Sequence, residues 1–159
     1  LRKIKPAIEE QQKGERVMAK KAFPEAEGHF NTALKQAPND YTGLCLMAKC
    51  QVAQKKYDEA KQYTSLARQT NPREAQAMQL SGVTSLATKN YALAYKEFDA
   101  YDRALPGNPN SAFFKGLSLE AMQDRQGAAR EYSRYLKQVQ SGAPAKHAAT
   151  QLRAWGYAK

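Results

Sequence analysis

A proline returns every 34 residues in this chain, at Pro38, Pro72 and Pro106. Aromatic residues keep the same interval at Phe23, Tyr57 and Tyr91, and alanines at Ala26, Ala60 and Ala94. Ala128 carries the alanine series one period further, and Gly14, Gly82 and Gly116 stand at matching places. A fixed period of this length means that each unit is one supersecondary element, which buries its apolar face only by stacking on its neighbours. The 159 residues hold about four to five such units.

Inside a unit the apolar positions are spaced for helices. In the clearest copy, Gly14, Val17, Phe23, Ala26, Phe30 and Ala33 form two helical stripes broken by a turn at residues 21–23. Pro24 suits the first turn of the second helix, where a missing N–H costs nothing, and Pro38 pushes residue 37 out of the helical region. The same reading predicts helices at about 7–20, 24–37, 40–54, 58–70, 74–88, 92–105, 109–122, 125–140 and 144–156, with Asn39 or Asp40 and Asn108 as caps. No alternating β-branched run supports a strand. The organisation expected is a basic lead-in (1–6), four repeats (7–40, 41–74, 75–108 and 109–142) and a closing helix (143–159) that covers the last repeat.

The net charge of +10 gathers at the ends. Residues 125–159 carry seven basic side chains and one acidic, whereas 22–124 is balanced. Such ends raise nucleic-acid binding as an option, but no aromatic side chain is interleaved with the basic ones as a stacking platform requires. A solvated surface is the simpler reading. No apolar run approaches the length of a membrane span. Cys45 and Cys50, five apart on a helix, have Cα atoms roughly 8–9 Å apart, too far for a disulfide. With no HExxH, no glycine-rich phosphate loop and only His29 and His147 as histidines, neither catalysis nor a cofactor is expected. Both histidines read as helix-surface residues.

These residues resemble the tetratricopeptide repeat. Gly14, Val17, Phe23, Ala26, Phe30, Ala33 and Pro38 match its pattern in the first unit. Ala48, Tyr57, Ala60, Ala67 and Pro72 match in the second, Gly82, Tyr91, Ala94, Phe98 and Pro106 in the third, and Gly116, Leu119, Ala128 and Tyr132 in the fourth. Glu10, Lys13, Gln51, Thr64, Tyr101 and Tyr135 depart from it. The resemblance implies an all-α, right-handed helical solenoid that binds a protein or peptide partner in a concave groove lined by the first helix of each repeat. Carried onto this sequence, the groove-facing residues are Met18 in the first repeat and Cys45, Lys49 and Val52 in the second. Gln79, Val83 and Leu86 follow from the third, and Phe113, Leu117 and Glu120 from the fourth. Only Lys49 and Asn110 are of the type that clamps a peptide carboxylate, so a chaperone-tail clamp is not expected. The alternative to an open groove is one filled by the chain's own C-terminal helix or lead-in.

The ending AKHAATQLRAWGYAK is also similar to the tails of bacterial envelope zinc metallopeptidases. In those proteins an HExxH domain precedes the repeats. On that resemblance the chain is an accessory domain of a periplasmic enzyme whose catalytic part lies upstream of Leu1; otherwise a cytoplasmic location is expected. An HExxH-containing segment in the parent reading frame is the check.

Overall fold

The computed structural model describes residues 4–159, all in helices and short connections. In order, the helices are α1 (Ile4–Ala19), α2 (Phe23–Gln36), α3 (Tyr41–Ala53), α4 (Tyr57–Thr70), α5 (Ala75–Ala87), α6 (Tyr91–Ala104), α7 (Pro109–Ala121), α8 (Arg125–Leu136) and α9 (Ala143–Ala154). No strand occurs among the described residues. Two expected bounds differ. The first helix begins at Ile4, so residues 4–6 of the lead-in are helical; Leu1–Lys3 lie outside the described residues. The eighth helix stops at Leu136, where no proline holds the period, and the chain turns through Gly142, at φ 98°, into α9.

The caps are built from side chains that the sequence supplies. Asp40 accepts a hydrogen bond from the Gly43 N–H at 2.8 Å, and Asn108 accepts one from Asn110 at 3.1 Å. At α8, Asp124 accepts from Gly127 at 2.9 Å. Each satisfies an N–H that the first helical turn leaves without a partner.

The chain divides into two compact units, residues 1–84 and 85–159. In the first, α1 packs on α2 and α3 on α4. Its core joins Ala26 and Phe30 of α2 to Leu46, Met47 and Cys50 of α3, with a second cluster of Leu44, Cys45, Ala67 and Ala77. In the second unit α7 packs on α6 and α8, and α8 on α9. Its core holds Ala112, Ala128, Tyr132, Tyr135, Ala148 and Leu152.

The repeat positions account for most of this burial. Ala26, Ala60, Ala94 and Ala128 are all 0 % exposed. One helical turn on, Phe30, Thr64, Phe98 and Tyr132 are also buried, and so are Ala33, Ala67, Tyr101 and Tyr135. Thr64, Tyr101 and Tyr135 therefore depart in chemistry and not in burial. Gly14 is where α1 meets the Phe30 ring: a Cβ there would lie 2.5 Å from Phe30 Cε1. Gly116 faces Tyr132 in the same way. Only glycine lets those rings seat.

Candidate functional site

The ten expected groove residues divide into three groups. Met18 on α1 and Lys49 on α3 come together. With Phe23 and Ala53 they line one depression of about 410 Å³, rimmed by Glu15 and Lys21. Met18 and Phe23 are half-buried against the Phe30 and Met47 cluster, so the floor is apolar and anchored, while Lys49 stands exposed at the edge. Val52, Gln79, Val83 and Leu86 are half-buried.

Cys45 does not face a partner. It is 0 % exposed, packed with Leu44, Ala67 and Ala77. Burial pushes its thiol above the usual range, which removes the thiolate needed for nucleophilic or metal chemistry. Cys50 is buried as well, its Sγ donating to the Phe23 carbonyl at 3.3 Å, and both thiols are free. A place two turns from the helix end reads as groove-facing in the resemblance, yet here the small Cys side chain is drawn into the α4–α5 contact.

The fourth-repeat residues are covered by the chain itself. Phe113 packs among Phe114, Tyr132 and Tyr135, and its ring meets that of His147 on α9 edge-on at 6.2 Å. Leu117 joins the same core. Glu120 accepts hydrogen bonds from the Tyr132 hydroxyl at 2.8 Å and from Gln151 Nε2 at 3.0 Å, and lies 3.1 Å from His147 Nε2. Burial, reinforced by the neighbouring Glu120 carboxylate, pushes the Tyr132 hydroxyl far above its ordinary range. Of the two readings of the groove, self-packing holds at α7. The tail that looks metallopeptidase-like is α9, and His147, Leu152 and Trp155 serve this packing, Trp155 stacked on Tyr132. Neither histidine is a bare surface residue, for His29 Nδ1 lies 2.8 Å from Glu10 Oε2 across α1 and α2.

One cluster escaped the sequence reading. Lys115 on α7, with only 8 % of its side chain exposed, reaches Asp99 at 3.0 Å, Asp102 at 3.4 Å and Glu131 at 3.7 Å. Arg134 on α8 bridges Asp102 at 3.0 Å and Glu131 at 2.7 Å. Burial would raise the Asp102 carboxyl, but the bonds from Arg134 and Ser111 outweigh it and hold it below its usual range. The charges balance and tie α6, α7 and α8 together, which is a structural role. A lysine on a first helix, with three acids at helical spacing around it, is the signal that could have found it.

Comparison with known proteins agrees with this geometry. Residues 17–82 match the tetratricopeptide repeat family model. No curated protein matches the sequence. Among solved structures, the thermophilic repeat protein TTC0263 of Thermus thermophilus superposes with a TM-score of 0.82 at 16% identity, over 95% of this chain and 84% of that one. Pseudomonas aeruginosa pilF gives 0.87 at 16% identity, over 98% and 72%. The first repeat domain of Spaghetti (RPAP3), solved with an HSP90 peptide bound, gives 0.73 at 18% identity, over 76% and 95%. The 34-residue period, the paired helices and the shared fold make this chain a tetratricopeptide-repeat array.

Proposed function

We propose that the chain is a non-catalytic protein-binding module that takes an apolar side chain of its partner at the α1–α3 depression. The observation that carries this reading is the meeting of Met18 and Lys49 at one concave site, from helices 31 residues apart in sequence. An apolar floor with a cation at its rim suits a peptide or helix that presents one large apolar residue beside an acidic group. The peptide-bound relative supports the class of partner, an extended protein segment. Lys49 alone does not make a two-cation clamp, so an internal segment fits better than a chain terminus.

The test is partner retention by Met18→Glu and Lys49→Glu proteins. Met18→Glu places a charge on the floor and abolishes retention, whereas Lys49→Glu weakens it about tenfold or more. Retention unchanged in both, with helicity intact, overturns the proposal. Phe113→Ala is the wrong probe here, because its loss would disturb the packing of α9.

A further inference from the structure

We propose that the groove between α8 and α9 is a second docking slot, for an acidic amphipathic helix of a partner protein. The argument starts from register. Helices α8 and α9 repeat α2 and α3 three periods on: Phe23 corresponds to Arg125, and Tyr41 to Ala143. In the first unit the α2–α3 pair is covered, with Tyr63 of α4 lying against Ala26, Phe30 and Met47. Leu44, Met47 and Gln51 of α3 are accordingly 2 %, 0 % and 2 % exposed. Their counterparts on α9 are Lys146, Ala149 and Arg153, and there the face is open: Lys146 and Arg153 are exposed, and Ala149 is half-buried.

What replaces the apolar residues defines the occupant. The open face holds two depressions, of about 480 and 630 Å³, one against each half of α8. Ala145, Ala149, Arg153 and Tyr157 follow one another at four-residue steps on α9 and its last turn, so they run from the second depression into the first. On the floor, Ala129, Ser133, Ala145 and Ala149 are small enough for a helix to approach closely. Five cations line the two depressions: Arg130, Arg134, Lys137, Lys146 and Arg153. No acid lines either one. Arg134 is already paired with Asp102 and Glu131, but among the described residues no carboxylate pairs with the other four. A cap made only for solubility needs charges of mixed sign; a single-sign rim around a small-residue floor is complementary to one acidic helix.

The probe is a synthetic helix about four turns long, with glutamates on one side and leucine and alanine on the other. Its binding is followed by fluorescence anisotropy at low and at high salt. The expected result is binding that weakens with salt and falls about tenfold or more in the double variant Arg130→Glu/Arg153→Glu. Ser133→Trp, which fills the groove without changing charge, produces a similar loss. A lysine-for-glutamate version of the peptide does not bind. The proposal is overturned if the acidic helix fails to bind, or if Ser133→Trp leaves its affinity unchanged. It is also overturned if a single-stranded oligonucleotide or a phosphatidylserine vesicle binds more tightly than the helix, since the cations would then serve phosphate. Met18→Glu keeps this binding, so the result stands apart from the α1–α3 depression.

Discussion

At the scale of single residues, the period recurs in backbone strain. Lys21, Lys55, Lys89 and Gln123 have φ of 61°, 61°, 62° and 65°, and they too are 34 apart. Each lies in the turn between the two helices of a repeat, where the chain must reverse in very few residues. The left-handed conformation costs a non-glycine residue about 1–2 kcal/mol, and glycine recovers most of that at an entropic cost of about 0.5–1 kcal/mol. Lys55→Gly is therefore expected to stabilise the protein by about 0.5–1 kcal/mol in urea unfolding, and Lys55→Val to destabilise it. The opposite holds on the helices. A methyl group at Gly116 overlaps the Tyr132 ring, so Gly116→Ala is expected to cost about 1–3 kcal/mol, with the near-ultraviolet signal of the Tyr132–Trp155 stack altered.

Between elements, polar contacts complete what the apolar repeat leaves unmade. Around Lys115 the sign of the pH response follows from the shifts. Asp102 is held below its unfolded value of about 3.9, so its contribution is full above that pH and is lost as pH falls through the folded value. Lys115 is the reverse: burial works against its charge, but Asp99 and Glu131 prevail and raise it, so its contribution is lost only as pH rises past that raised value. Asp102→Asn should flatten the fall in thermal stability between about pH 5 and 3, and a slope equal to that of the unaltered protein would count against the network. Such pairings also show where sequence legibility ends. The repeat positions are plain because sterics fix them: a ring and an alanine fill the same layer in every copy. The departures are not, because their explanations sit on other helices. Glu10 answers His29, and Gln51 donates to Glu27 at 3.0 Å. Whether α9 fills the groove at Phe113 is open in the sequence, although the same 34-residue arithmetic places α9 as the first helix of a further unit.

For the whole chain, stability in an array is a sum of local terms and neighbour contacts, because no single core spans the units. The division at residues 84 and 85 sharpens that expectation, since the Phe30 core and the Tyr132 core share no residues. A lesion in one unit should then open amides near it at a lower free energy than amides in the other. Hydrogen exchange tests this with two matched changes, Gly14→Ala against Phe30 and Gly116→Ala against Tyr132. Gly14→Ala is expected to lower protection in α1 and α2 and to spare α8 and α9; Gly116→Ala should do the converse. Equal loss throughout in both proteins would mean one cooperative transition. Local response matters for binding as well. The Met18 depression belongs to the first unit and the cationic groove to the second, so a variant that loosens one should leave the affinity measured at the other unchanged.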